Sequence, residues 1–360
     1  MINVTKTFLP PLEEFNVYLR EIWASSFVTN QGPLARQLES NLIKALNIAH
    51  LSFVNNGTIA LQIALKALNI SGEVITTPFS YVATTSSIAW EGATPIFADI
   101  DEHTLTLDPH SVESRISNNT QAILATHVYG NPCDVEALEK IALKHKLRVI
   151  YDAAHCFGVK FKNKSILSYG DVSTLSFHAT KLFHTIEGGA VVTADAVLAH
   201  KFNYLRNFGH SSPESFEGLG INGKASELNA AMGLCLLPRV PEFIFRRKSL
   251  TNLYDQQLPF DSGAIKKPLI RPETDYNYAY YPIIFKNEDL LNKAVLHLNK
   301  HQIFPRRYFF PSLSSLPYVN TTHTPIADSI SRRVLCLPLY FELMESDALQ
   351  IAEILTQAIL

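Results

Sequence analysis

DVEALEKIALKHKLRVIYDAAH, residues 134–155, joins two different periodicities in twenty-two residues. Residues 134–146 repeat their apolar positions at helical spacing behind Asp134, whose side chain suits a helix start. Residues 147–155 run apolar up to Asp152, the pattern of a strand buried on both faces. The same alternation extends outward. TIALQIALKAL (58–68) has a helical period, EVITTP (73–78) reads as a strand, and VSTLSF (172–177) and GGAVVTAD (188–195) add two more strands. Strands and helices alternating from about residue 50 to 205 predict an α/β fold, a mainly parallel sheet covered by helices. After Pro238 and Pro241 the pattern changes. YNYAYYPIIF (276–285) is expected as a strand, NEDLLNKAVLHLNKH (287–301) as a helix, and an amphipathic helix is expected from about Glu345. This predicts a large domain over 1–245 with an N-terminal arm, then a smaller α+β domain over 246–360. No internal repeat or low-complexity tract is present.

Composition removes several classes of function. The 360 residues are 47% hydrophobic, enough for a large core, and the formal net charge is -2 without a run of like charges. That balance gives no electrostatic case for nucleic acid or an anionic membrane surface, so an anionic ligand must be held by local groups. MINVTKTFLPPLEEF lacks the apolar core of an export signal, and no stretch approaches eighteen uninterrupted apolar residues; a cytoplasmic protein is expected. Cys133, Cys156, Cys235 and Cys336 show no C-x-x-C spacing, which argues against a zinc site and a disulfide framework. They are expected to be reduced packing residues.

The chemistry-bearing residues lie in separated pieces. NNGTIAL (55–61) places Gly57 and Thr58 at the start of a strongly helical stretch, where free N–H groups and the helix dipole can hold a phosphate. A glycine turn with a threonine cap accounts for the same residues. Asp152 ends the run LRVIYD, where ligands sit in open α/β sheets. A carboxylate there can keep a ring nitrogen protonated, bind a metal, or cap the following turn. For a metal, His155 is the only local partner, and none is expected. Lys181, in STLSFHATKLFHTIEGGAVVT (173–193), sits between two strand-like runs among Ser176, Phe177, Thr180, Phe183 and Gly188–Ala190. A lysine in that setting is partly desolvated. Desolvation and a neighbouring cation would both favour its neutral amine, a nucleophile able to form an imine. A phosphate cradle, a strand-end aspartate and a buried lysine, in that order, are what pyridoxal phosphate chemistry requires.

The pieces TNQGPLARQLE (29–39), NNGTIAL, TPFSYVATTSSI (77–88), THVYGNPCD (126–134), YDAAHCFG (151–158), GDVSTLSFHATKLFHTIEGGAVVT (170–193), GINGKASELNAAMG (220–233) and RRVLCLPLY (332–340) occur in one order. Together they resemble the DegT/StrS family of nucleotide-sugar aminotransferases, of the aspartate aminotransferase-like fold type I, over nearly the whole chain. The resemblance implies pyridoxal 5′-phosphate as cofactor, passing through its pyridoxamine 5′-phosphate form. It implies Lys181 as the Schiff-base lysine and Asp152 as the carboxylate on the pyridine nitrogen. His155 would lie near the phenolic oxygen, Tyr81 would stack on the ring, and Gly57, Thr58 and Ser176 would hold the phosphate. Asn222 matches an asparagine that reaches the phosphate in the neighbouring subunit, so the resemblance implies a homodimer with shared active sites. Lys224 departs from the arginine that many members carry. Related dehydrating enzymes replace the Schiff-base lysine with histidine; its presence here implies transamination, with L-glutamate as donor and Lys181 moving the proton.

For the sugar, FHATKLFHTIEGG resembles members that convert dTDP-4-keto-6-deoxy-D-glucose to dTDP-4-amino-4,6-dideoxy-D-glucose more than those carrying FYPGKNLGALGDGG, which act on 3-keto sugars. A dTDP-3-keto-6-deoxyhexose 3-aminotransferase is the alternative. His178 and His184 flank the lysine and are candidate substrate contacts, with a packed core histidine the other reading of each. Arg306, Arg307 and Tyr308, in PRRYFFP (305–311), could approach a diphosphate or a donor carboxylate, while a solvated loop accounts equally for an arginine there. Two other classes are a non-catalytic cofactor-binding regulator and a PLP enzyme of another reaction, such as a decarboxylase. No basic DNA-binding addition supports the first, and amino transfer to a keto-sugar would separate the second.

Overall fold

A computed structural model describes residues 1–320 and 322–360. Its centre is a seven-stranded sheet. In chain order the strands are β1 (His50–Val54), β2 (Glu73–Thr76), β3 (Thr94–Phe97), β4 (Thr120–Thr126), β5 (Arg148–Asp152), β6 (Val172–Ser176) and β7 (Gly189–Thr193). Their spatial order is β1-β7-β6-β5-β4-β2-β3. Strands β6, β5, β4, β2 and β3 pair in parallel, and β7 runs antiparallel to both β1 and β6. The mainly parallel sheet expected from the alternation is therefore present.

Both faces of the sheet are covered, which explains why its strands read as almost continuous apolar runs. Along β4, Ala122 and Leu124 pack with Ala60, Ile63 and Ala64 of the helix Gly57–Ala67. Ile123 and Ala125, pointing to the other face, join Val135, Leu138 and Ala142 of the helix Val135–His145. Asp134 caps that helix, its side chain accepting the Ala137 N–H at 3.0 Å.

A second core gathers Leu250, Tyr254, Tyr281, Ile283, Phe285, Leu291, Leu298, Leu335, Leu337, Ile351 and Leu355. It lies on a three-stranded antiparallel sheet, Ile265–Lys266, Tyr281–Phe285 and Val334–Leu337 in spatial order. The helices Glu288–Lys300 and Glu345–Ile359 contribute to it, as expected from their periodicity. Helix Val240–Gln257 reaches across, with Val240 and Phe243 in the first core and Leu250 and Tyr254 in the second. The N-terminal arm also joins the two: Ile2–Asn3 pairs in parallel with Ile303–Phe304, and the Phe8 carbonyl meets His184 Nε2 at 2.8 Å.

One expectation needs correction. YNYAYYPIIF is strand only over Tyr281–Phe285. Residues before it spend their polar groups on the neighbouring core: Asn277 Nδ2 donates to the carbonyls of His155 and Phe157 at 2.8 and 3.0 Å, and Tyr276 Oη to that of Tyr129 at 2.9 Å. No stretch of eighteen uninterrupted apolar residues occurs, as expected. The helical run Glu227–Gln257 is long and apolar enough, by length and composition, to cross a membrane, although half of its most apolar window is buried inside the protein. Residues such as Leu236, Phe243 and Leu250 pack into the cores. All four cysteines are buried and free.

Candidate active site

Thr126, Asp152 and Ser176 are the last residues of three adjacent parallel strands, β4, β5 and β6. Open α/β sheets bind ligands at this edge, beyond the carboxyl ends of the strands. A cavity of about 330 Å³ opens there. Gly57, Thr58, Tyr81, Asp152, His155, Ser176, His178, Lys181, Arg306 and Tyr308 all line it. Ten of the thirteen residues singled out from sequence therefore share one space, though they are spread over more than 250 positions of the chain.

The N-terminus of helix Gly57–Ala67 forms one wall. Asn56 caps it, its side chain accepting the Ile59 N–H at 2.9 Å. The N–H groups of Gly57 and Thr58 precede the first intrahelical bonds, the arrangement that suits an anion. Glycine at 57 suits the close approach of β6: a Cβ there would lie 3.0 Å from the Ser176 Cβ. Gly189 meets the same backbone, since its Cβ would fall 2.6 Å from the Asn56 carbonyl carbon. The helix start is thus pressed against β6 and β7.

Asp152 is buried, with Oδ2 accepting the Thr84 hydroxyl at 2.7 Å and Oδ1 the Ala154 N–H at 3.1 Å. Burial raises its pKa above the ordinary carboxylate value, while the Thr84 bond, the Ala154 N–H and the charge of Lys181 pull the other way. Lys181 follows a turn closed by its own N–H on the His178 carbonyl at 2.9 Å. Burial lowers its pKa to about 8, against the opposing attraction of Asp152 and Tyr81. Desolvation favours the neutral amine here, and the nearby carboxylate opposes it.

His155 accepts the Tyr129 N–H at Nδ1, at 3.1 Å, so in the neutral ring Nε2 carries the proton. Burial, and then the charge of Lys181, hold its pKa well below the ordinary histidine value. Its ring is parallel to Phe309 at 5.9 Å and edge-on to Tyr280 at 4.8 Å. Tyr81 is largely exposed at the mouth, immediately before the helix Val82–Trp90. His178 lies 3.6 Å from Glu187, and the Arg306 guanidinium stands 5.5 Å from the Tyr308 ring centre.

Three expected residues lie elsewhere. His184 is buried outside the cavity lining, with Nε2 against the Phe8 carbonyl and Nδ1 accepting the Ile186 N–H at 3.2 Å. Both ring nitrogens are used in holding the N-terminal arm and its own turn. Arg307 pairs with Glu288 at 2.9 Å, donates to the Arg332 carbonyl and stacks on Phe310. Asn222 is exposed; its Oδ1 accepts from Lys224 Nζ at 2.8 Å. Conversely, Asn56, Ser80, Thr180, Glu187, Tyr280 and Phe309 line the cavity without having been singled out. Glu187 and Thr180 stood within six residues of Lys181, and that proximity was the available signal. Among the described residues no group of three or more His, Cys, Asp or Glu side chains is placed to hold a metal ion.

The chain is 43% identical over 355 residues to a dTDP-4-amino-4,6-dideoxy-D-glucose transaminase of Shigella dysenteriae, covering 97% of this chain and 96% of the relative. It is 40% identical to a protein of the same name from Escherichia coli, over 98% of each. A crystal structure of DesI in the presence of its TDP-sugar product superposes with a TM-score of 0.94 at 31% identity, covering 99% of this chain and 92% of that one. Residues 12–356 match the profile of the DegT/DnrJ/EryC1/StrS aminotransferases, and the chain belongs to that family.

Proposed function

We propose that the protein is a PLP-dependent nucleotide-sugar aminotransferase that moves the amino group of L-glutamate to C4 of dTDP-4-keto-6-deoxy-D-glucose, giving dTDP-4-amino-4,6-dideoxy-D-glucose. The observation that carries the chemistry is the convergence of Lys181, Asp152 and the start of helix Gly57–Ala67 on one cavity. The choice of sugar rests on the full-length similarity to the two transaminases named for that product.

The residues present suit pyridoxal phosphate. The helix start supplies anion donors at Gly57 and Thr58, held against Ser176 by a contact that a side chain at 57 would crowd. When bound, the cofactor supplies an aldehyde to carry the amino group and a protonated ring to withdraw electrons. The Asp152 carboxylate would keep the cofactor's ring nitrogen protonated. His155 Nε2–H, its tautomer set by the Tyr129 N–H, would donate to the phenolic oxygen, and Tyr81 would help to hold the ring. Lys181 Nζ takes the proton from the glutamate Cα and, in the second half of the reaction, delivers one to the sugar C4. His178, Arg306 and Tyr308 contact the substrate.

In this reading two copies assemble as a homodimer, with Asn222 serving the neighbour's phosphate site. Trp23, Phe27, Val28, Phe208, Ile221 and Leu228 are exposed apolar residues available to such an interface. The domains are 1–245 and 246–360, each with its own core. The enzyme works in the cytoplasm on soluble sugar nucleotides, without nucleic acid or membrane, and its product enters O-antigen or glycoside synthesis.

The test is direct. Protein supplied with PLP, L-glutamate and either the 4-keto or the 3-keto dTDP-6-deoxysugar should form a new C–N bond at C4 of the former, located by NMR. Lys181→Ala should form none. Amination of the 3-keto sugar alone would replace the assignment with the 3-aminotransferase.

A further inference from the structure

The segment Thr77–Ile88 reaches the cavity through Ser80, Tyr81 and Ala83, yet its hydroxyls extend behind the site as well. Thr84 Oγ1 lies 2.7 Å from Asp152 Oδ2. Ser80 Oγ lies 2.8 Å from Thr84 Oγ1, and Thr126 Oγ1 lies 3.1 Å from Ser80 Oγ. All four residues are buried. A charged carboxylate only accepts, so the Thr84 proton must point to Asp152. Thr84 then accepts from Ser80, and Ser80 from Thr126. Every hydroxyl in the row is turned the same way, toward the charge.

Such a row strengthens its terminal bond, because each donor polarises the next. It also ties together three separate parts of the sheet edge: the loop after β2, the helix Val82–Trp90 and the end of β4. We propose that Thr84 is a positioning residue for catalysis, and that Ser80 and Thr126 act through it to hold the buried Asp152 carboxylate charged and oriented. The inference rests on the reading that Asp152 faces the cofactor's ring nitrogen. The chain costs Asp152 none of its capacity for that partner, since each carboxylate oxygen accepts more than one hydrogen bond.

The experiment titrates the Asp152 carboxyl by ¹³C NMR in the full chain, before and after loading with PLP, with the resonance assigned by its loss in Asp152→Asn. Lys181, His155 and Cys156 also face this carboxylate and remain unchanged across the variants compared. Thr84→Val removes a hydrogen bond to the charged form, so the midpoint should rise by about one to two pH units. Ser80→Ala leaves that bond in place and removes its reinforcement, for a rise of roughly a few tenths of a unit. Thr126→Val should give less again, and Thr84→Ser should restore the parent midpoint. In the loaded enzyme kcat should fall in the same order with KM for glutamate little changed.

An unchanged midpoint in Thr84→Val would overturn the proposal, as would equal shifts from Thr84→Val and Thr126→Val. Should Thr84→Val not fold, the Ser80→Ala and Thr84→Ser pair decides: a rise in the first with none in the second supports the row, and no rise in the first overturns it. The cofactor reading fails separately, if Asp152→Asn keeps normal turnover and cofactor absorption. The titration before loading is independent of that result.

Discussion

In the chain without cofactor, the amine of Lys181 should titrate near pH 8. Burial lowers its pKa from 10.5 to about 8, a difference worth roughly 3 kcal/mol between the two protonation states. At about pH 7.5, about a quarter of such an amine is neutral, against about one part in a thousand for an ordinary lysine. The fold therefore raises the nucleophilic form roughly 200-fold. The sign follows from the groups on either side: desolvation disfavours the ammonium form, whereas the Asp152 carboxylate favours it. Asp152→Asn should accordingly move the midpoint below that of the parent protein, although it damages the site. Competitive acetylation with trace anhydride between pH 6 and 10, read by mass spectrometry of the Lys181 peptide against exposed Lys146, measures both midpoints. A parent midpoint at 10 or above would refute the role given to burial. An upward shift in Asp152→Asn would refute the assigned coupling between the two side chains.

Two further outcomes test the assembly and the arm. Lys181→Ala and Asn222→Asp proteins, each inactive, should regain roughly a quarter of wild-type activity when dissociated, mixed and reassembled, because about half the dimers are hybrid and each hybrid has one intact site. No recovery in hybrids confirmed by differential tags would mean that Asn222 serves its own chain or neither. His184→Ala should lower thermal stability by about 2 kcal/mol through loss of the Phe8 and Ile186 bonds, while KM for both substrates stays close to the parent value. A large KM change without a loss of stability would return His184 to the substrate site.

Asp152 was legible because β5 is buried on both faces, and an apolar run ending in a carboxylate has few places to lie in an α/β sheet. The helix start at Gly57 was legible for a local reason, a glycine and a threonine ahead of a strongly helical run, whereas its contact with Ser176 of β6 is visible only in the fold. His178 and His184 stand at comparable distances from Lys181 in the sequence, and nothing local says which faces the cavity. The turn decides: Phe177 N–H bonds to the Gly188 carbonyl and Thr185 N–H to that of Phe177, which carries His184 to the arm. Arg306 and Arg307 separate for a different reason. Arg306 exchanges both backbone bonds with Cys336, so its neighbour is directed to the opposite side. The aromatic run 276–280 misled because its composition favours a strand, whereas Asn277 and Tyr276 are committed to distant carbonyls that only the fold brings near.

The pairing of Ile2–Asn3 with Ile303–Phe304 sets a clock on the nascent chain. Ile2–Asn3 acquires its partner only after some three hundred further residues are made, which at about 5–20 residues per second takes roughly 15–60 s. During that interval the seven-stranded sheet can close, since its last strand ends at Thr193, while the arm waits without its neighbour. A polypeptide fused ahead of Met1 would meet this late-formed edge, not the sheet, and would delay this pairing while leaving closure of the sheet untouched.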